Sequence, residues 1–271
     1  MPRTSFWRIR VIPPTYLIGD IHGHCEVMKR LLREASLTDA DGTWSGGAAR
    51  LWFMGDFFDR GPDSIGALSL VMQLQREAAA AGGSLEALLG NHEVMVLAAA
   101  RFGTRAHGGS FVKVWQRNGG CPADLKRLTR EQLDWIQGRP AVALVGDHLL
   151  LHADALFYTH YGDTVEAVNE TIGAVLASDD PKAFYQLLEL FSERMAFAPP
   201  RRRQGIERAR HLLDVFGGRV IAHGHTPIAY MQPERRPETI VEPLSYADGL
   251  CINLDGGIYL GGPGFVYELF D

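Results

Sequence analysis

The sequence predicts an α/β fold built on parallel strands with one chemically active edge. Three observations predict it. A strand, polar loop, helix order runs three times through the first hundred residues. Each of those strands stops at Gly-Asp or Gly-Asn. The 271 residues are 46% hydrophobic, enough for one large core. Helix-joined parallel strands gather their polar loops on one edge, where open α/β sheets bind ligands.

Taken in order, VIPPTYLIGD places a Pro-Pro lead before a short apolar strand, Tyr16–Ile18, that stops at Gly19-Asp20. CEVMKRLLREASL has Val27, Met28, Leu31, Leu32 and Leu37 near helical spacing. TDADGTWSGG is a turn-rich loop; Asp39-Ala40-Asp41-Gly42 lacks the later carboxylates of a calcium loop and reads as a turn. A strand at Arg50–Met54 enters GDFFDRG. A helix follows from Pro62 through SIGALSLVMQLQREAAAAGG, stopped by Gly82-Gly83. A third strand, Leu85–Leu89, meets GNHE and a helix through VMVLAAARF.

The middle is less regular. WQRNGGCPADL reads as a loop, and TREQLDWIQ as a short helix capped by Thr129. Ala141–Val145 and His148–Leu151 form a hairpin about Gly146-Asp147. Residues 163–216 are largely helical, broken at Asp179-Asp180-Pro181 and at Pro199-Pro200-Arg201-Arg202-Arg203. RVIAHGHTPIAY, LCINLDGGIYL and FVYELF supply three closing strands. With no repeat and no long linker, residues 1–271 read as one domain.

A net charge of −5 gives no global pull toward nucleic acid or an anionic membrane. Cys25, Cys121 and Cys251 are odd in number and far apart, which points to a reducing compartment and not a disulfide framework. No apolar run reaches membrane-span length, and MPRTSFWRIRVIPPTY lacks a signal-peptide core. The expected location is the cytoplasm.

Five strand ends carry metal-type ligands: Asp20 and His22 in GDIHG, Asp56 and Asp59 in GDFFDRG, Asn91 and His92 in GNHE, His152 in LLLHAD, and His223 and His225 in AHGHTP. One such loop is ordinary surface chemistry; five, each behind an apolar strand, are not. Mixed Asp, Asn and His donors suit Mn²⁺, Fe²⁺, Zn²⁺ or Ni²⁺. The donor count exceeds one ion's needs, so two are expected.

The series GDIHG, GDFFDRG, GNHE, His and GHTP resembles the signature of the calcineurin-like metallophosphoesterases, of the phosphoprotein phosphatase type that includes Shewanella-like and lambda phage phosphatases. REAAAAGGSLEALLGNHEVM is similar to the Shewanella-like group, and RGPDSIGAL to the symmetrical diadenosine tetraphosphatases. The resemblance implies a four-layer sandwich, two mixed β-sheets flanked by helices, with the active site at the strand C-terminal ends. It implies a dinuclear phosphatase of bacterial type, Mn²⁺ foremost, in which a metal-bridging hydroxide attacks in line. Phosphate monoesters of proteins (on Ser, Thr or Tyr) or small molecules are the implied substrates. A symmetrical dinucleoside polyphosphate is the alternative, and a catalytically dead metal- or phosphate-binding regulator the rival of another class. No nucleic-acid or membrane partner is implied.

Carried over residue by residue, Asp20 and His22 bind the first metal, Asp56 bridges, and Asn91, His152 and a histidine of AHGHTP complete the second. Read as Gly-His-Thr-Pro, the last motif nominates His225. Read as His-x-His, it gives His223 to the second metal and His225 to the first. His92 and Asp59 form the acid pair, Arg60 and Asn91 hold phosphate, and Arg194 is a further phosphate-binding candidate. His152-Ala153-Asp154 departs from the usual His-Gly-Gly or His-Ala-Gly, so Asp154 is either a support or a substrate filter. Glu93 reads as a loop support or helix cap. The Arg201–Arg210 run reads as a solvated basic face, and Trp44, Trp115 and Trp135 as packing.

Overall fold

The computed structural model describes residues 13–104, 110–198 and 202–269, with Arg202 by its backbone only. Strand β1 (Thr15–Ile18), helix α1 (Cys25–Glu34), strand β2 (Arg50–Phe53), helix α2 (Ser64–Ala80), strand β3 (Ser84–Ala87) and helix α3 (Asn91–Phe102) repeat in the expected order. Strands β1, β2 and β3 are parallel, with Ile18 level with Phe53 and Phe53 level with Ala87. The three motif loops therefore leave the sheet side by side. At the far edge β9 (Val266–Leu269) runs antiparallel to β1 and makes the sheet mixed.

Helices α4 (Phe111–Arg117), α5 (Pro122–Arg127) and α6 (Arg130–Gln137) lead into the hairpin of β4 (Val142–Val145) and β5 (His148–Leu151). Thr129 caps α6, its Oγ1 accepting the Gln132 N–H at 3.1 Å. Helices α7 (Val165–Ala177), α8 (Pro181–Phe191) and α9 (Arg202–Phe216) precede β6 (Val220–His223), the short helix α10 (Ile228–Met231), β7 (Leu244–Tyr246) and β8 (Cys251–Asn253). The second sheet has the order β4-β5-β6-β8-β7. Its central strands β5, β6 and β8 are parallel, and Leu151, His223 and Asn253 are level. A second set of strand ends is thus aligned like the first.

Alternation along the strands explains how the sheets stack. Leu17, Leu150 and Ala222 enter one buried cluster with Met54, Leu88 and Leu254, joining sheet to sheet. Their neighbours Ile18, Leu51, Phe53, Leu149, Leu151 and Ile221 enter a larger cluster with Leu31, Leu68, Val96 and Leu212 of the helices. The result is helix, sheet, sheet, helix. The Phe57–Phe58 pair of GDFFDRG is fully buried in the larger cluster.

Three expectations need correction. WQRNGGCPADL is a loop only over residues 118–121, because α4 takes its first three residues and α5 its last four. AHGHTPIAY leaves the strand at His223, and LCINLDGGIYL leaves it at Asn253 to close in a 3₁₀ turn at Ile258–Leu260. Strand β7 was not anticipated. The break at Pro199-Pro200-Arg201, residues Phe270 and Asp271 and the N-terminal run through Ile12 lie outside the described residues. Within the basic run, exposed Arg203 pairs with Glu207 at 3.1 Å, as on a solvated helix face. Asp39 Oδ1 accepts the N–H groups of Asp41 and Thr43, closing its own turn. No helix among the described residues is long and apolar enough to cross a membrane.

Candidate metal centre

The two aligned sets of strand ends meet. Asp20 and His22 follow β1; Asp56, Asp59 and Arg60 follow β2; Asn91 and His92 open α3 just beyond β3. From the other sheet come His152 after β5, His225 after β6 and Asp255 after β8. Asp20, His22, Asp56, Asn91, His92, His152, His225 and Asp255 are all buried, none more than 5% exposed. The sheets are stitched at the site itself, where the His225 N–H donates to Asp20 Oδ1 at 3.0 Å. Gly224 permits that approach, since a Cβ there would stand 2.2 Å from the same oxygen.

Two groups of ligand atoms form, each within 4.8 Å: His22, Asp56 and His92, and Asp56, His152 and His225. Asp56 belongs to both. Its Oδ2 faces His22 Nε2 at 3.7 Å and His92 Nε2 at 3.9 Å, while Oδ1 faces His152 Nε2 at 3.4 Å. Asp20 Oδ2 lies 3.8 Å from His22 Nε2. Asn91 Oδ1 lies 3.1 Å from His152 Nε2 and 3.0 Å from His225 Nδ1.

The outer nitrogens are already used. His22 Nδ1 donates to Phe58 O at 2.9 Å and His152 Nδ1 to Met54 O at 2.7 Å, so each ring turns Nε2 toward Asp56. Among the atoms of the described residues that are buried with no hydrogen-bond partner are His225 Nε2 and Asp255 Oδ2. Buried polar atoms are almost always satisfied, so these exceptions fit cation binding. Burial, helped by neighbouring positive charge, holds His22 and His225 well below the usual imidazole range, in the neutral form a metal needs. Burial and the nearby Asp255 carboxylate push Asp20 up. Burial opposes ionisation of Asp56 too, but His152, His92 and His22 around it hold it well below the carboxylate range.

The loops are strained where they carry these groups. His22, Asp56, Asp59, Arg60 and His225 all have φ between 46° and 72°, the left-handed region that non-glycine residues avoid. Glu93 holds the Asp56 turn: its carboxylate accepts the N–H groups of Asp56, Phe57 and Gly90 at 2.8, 2.8 and 2.9 Å.

His92 Nδ1 and Asp59 Oδ2 are 2.5 Å apart. Burial pushes the Asp59 carboxyl up to about 8 and the His92 imidazole down to about 3, so the pair is neutral overall and shares one proton. Wherever that proton sits on the line, His92 Nε2 carries an N–H toward the cluster. The Trp115 indole donates to the other oxygen, Asp59 Oδ1, at 2.7 Å. Arg60 Nη1 reaches His22 Nε2 at 2.8 Å, and its guanidinium lies 4.2 Å over the Tyr259 ring.

The remaining nominated residues separate. His225 joins a ligand group. His223 belongs to neither: Tyr246 Oη donates to its Nε2 at 2.8 Å and its Nδ1 donates to Gly224 O at 2.9 Å. Arg194 is half-buried at the site, and its Nη1 donates to His225 O. Asp154 accepts from Met195 N at 2.7 Å and Thr226 Oγ1 at 2.6 Å, so both oxygens are engaged within the fold. Sequence reasoning missed Asp255 and the bond made by Trp115. For Asp255 a signal was present, an apolar strand stopping at Leu254-Asp255-Gly256. For Trp115 there was none, because its partner is 56 residues away.

Comparison with known proteins agrees. The profile of the calcineurin-like phosphoesterases matches residues 13–229. The chain is 38% identical over 78 residues to Shewanella-like protein phosphatase 2 of Arabidopsis thaliana, covering 29% of this chain and 20% of that protein. It is 31% identical over 142 residues to the symmetrical bis(5'-nucleosyl)-tetraphosphatase of Dechloromonas aromatica, covering 52% and 44%. The chain thus matches less than half the length of either. Among solved structures, the cold-active protein-tyrosine phosphatase of a psychrophilic Shewanella species shares the fold, with a TM-score of 0.71 at 21% identity over 96% of this chain and 76% of that one. The chain belongs to the calcineurin-like phosphoesterase family.

Proposed function

We propose that this chain hydrolyses phosphate monoesters, of proteins or small molecules, with two divalent cations. One observation carries the reading: the Asp56 carboxylate stands between two buried ligand groups, one oxygen toward each. Asp20 and His22 would hold one cation, and Asn91, His152 and His225 the other. Mixed oxygen and imidazole donors favour Mn²⁺, with Fe²⁺, Zn²⁺ and Ni²⁺ also suited. When bound, such a pair lowers the pKa of a water and neutralises charge on the attacking and leaving oxygens.

The protein's own groups do the rest. Arg60 presents a planar fork within reach of His22 Nε2, where it would grip the phosphoryl oxygens and set the ester in line. Asn91 would offer its amide to the same phosphate, and Arg194 adds positive charge at the rim. His92 would pass the Nε2 proton to the departing ester oxygen, and Asp59 would keep the ring oriented and leave their shared proton on Nδ1, so that the ring stays neutral and Asp59 becomes the carboxylate. Asn91, His92 and Asp59 are each no more than 5% open to water, which strengthens their interactions, while Arg60 and Arg194 are half-buried at the rim.

A symmetrical dinucleoside polyphosphatase uses the same machinery on a pyrophosphate bond, and the match to the Dechloromonas aromatica protein favours it as a second reading. The test is a Mn²⁺ titration of metal-free protein against p-nitrophenyl phosphate, a phosphopeptide and diadenosine tetraphosphate. Monoester turnover above that of the dinucleotide supports the first reading, and the reverse supports the second. Metal uptake without any turnover would leave only a binding role.

A further inference from the structure

Helix α4 and the loop after it hold the Asp59–Arg60 turn at two points and pack on each other at a third. Trp115 is fully buried, and its Nε1 donates to Asp59 Oδ1 at 2.7 Å, opposite the oxygen that meets His92 Nδ1 at 2.5 Å. Two residues past the helix, Gly119 O accepts the Arg60 N–H at 3.1 Å. Gly120 lies against the indole so closely that a Cβ would stand 2.3 Å from the ring. The groups held this way are the ones the backbone disfavours, since Asp59 has φ of 72° and Arg60 of 68°. Close by in sequence, the Asp59 N–H donates to Ser64 Oγ at 3.0 Å and the Asp59 carbonyl accepts the Gly61 N–H at 2.7 Å, but neither bond touches the carboxylate. A strained turn persists only where its surroundings over-determine it, and here the bonds to the Asp59 Oδ1 atom and the Arg60 N–H come from distant residues, Trp115 of α4 and Gly119 just after it.

We infer that Trp115 is a positioning residue for the proton donor: its indole N–H fixes the rotamer of Asp59, which in turn fixes the His92 ring and the nitrogen that carries the transferable proton. The inference rests on the phosphoesterase reading. A carboxylate bound at both oxygens by two different donors cannot rotate about its Cβ–Cγ bond without breaking one of them. Without the indole, the carboxylate is free to turn, and the 2.5 Å contact loosens along with the Arg60 backbone beside it. The effect falls on protonation of the leaving group and not on binding of the phosphate. In the reaction a water oxygen bonds to phosphorus and gives up its proton to solvent as the ester P–O bond breaks; the ester oxygen keeps the electron pair, and His92 Nε2 gives it a proton.

The test compares two esters. An alkyl phosphate needs that proton; p-nitrophenyl phosphate releases a stable phenolate that does not. Trp115→Phe is expected to lower kcat on the alkyl ester about tenfold or more, with KM unchanged and a much smaller loss on the aryl ester. Combined with Asp59→Asn it should add little further loss, because both act through one contact. Equal losses on the two esters, or losses that multiply with Asp59→Asn, would overturn the inference. A second measurement does not need Trp115→Phe to fold: Asp59→Ala in ¹⁵N-indole-labelled protein should shift the Trp115 indole resonance, and an unmoved resonance overturns the positioning role. Failure of the parent reading looks different, as wild-type protein would turn over neither ester.

Discussion

Asp56 and Glu93, 37 residues apart, are joined by a buried hydrogen bond in which the Asp56 N–H donates to Glu93 Oε2 at 2.8 Å. The same carboxylate takes the Phe57 and Gly90 N–H groups, so it closes the strained turn that presents Asp56 to both ligand groups. Glu93→Ala strands three buried donors, each worth about 1–3 kcal/mol when left unpaired. The expected loss is about 3 kcal/mol or more, a large fraction of the 5–15 kcal/mol typical of a domain. Urea unfolding of metal-free protein measures it; an unchanged midpoint would show that the three donors have other partners.

Asp56 and His92 separate metal binding from proton transfer. Asp56→Asn removes the charge of the carboxylate that both groups share, so metal content and turnover should fall together. His92→Asn leaves Asp20, His22, Asn91, His152 and His225 in place, so metal content should hold while turnover of alkyl phosphates drops about 10²–10⁴-fold. Elemental analysis beside kinetics reads both. Intact alkyl-phosphate turnover in His92→Asn would remove His92 from the acid role.

The two histidines of AHGHTP should behave differently. His225 has an unpartnered buried Nε2 and sits with Asp56 and His152, whereas His223 has both ring nitrogens engaged by Tyr246 and Gly224. His225→Ala should therefore lose one of two Mn²⁺ per chain. His223→Ala should keep both and lower thermal stability instead. A metal count that drops in His223→Ala would reverse the assignment.

What was legible in the sequence was what repeats locally. Each motif loop follows an apolar run, and those after β1, β2 and β3 begin within three residues of the strand end at a glycine, because tight loops over a strand end need backbone close to side chain, as Gly90 is to Asp56. That pattern placed β1, β2, β3 and β5 and the side chains behind them. It did not place α4 and α5, of seven and six residues, whose flanking Gly119-Gly120 reads as loop and whose order comes from packing on α3. Nor did it show that Asp154 would be taken up by Met195 and Thr226, 41 and 72 residues away. Bonds of that range carry no periodic signal.

Asp255 gives a prediction of mixed sign. It lies in the buried site beside Asp20, burial and that like charge push the Asp20 carboxyl up, and Asp255 Oδ2 has no hydrogen-bond partner. In metal-free protein the two carboxylates repel; with cations present they attract a shared countercharge. Asp255→Asn keeps the oxygen that accepts the Gly257 N–H at 2.9 Å and removes only the charge. The metal-free variant should therefore melt higher than the metal-free parent. Its Mn²⁺ affinity should fall by at least about tenfold, since one negative charge near a dication in a site of effective dielectric about 20 is worth more than that factor. Calorimetric melting of the metal-free protein and a Mn²⁺ titration read the two arms separately. A variant that melts lower without metal and binds Mn²⁺ as the parent does would make Asp255 a structural carboxylate with no part in the cation site.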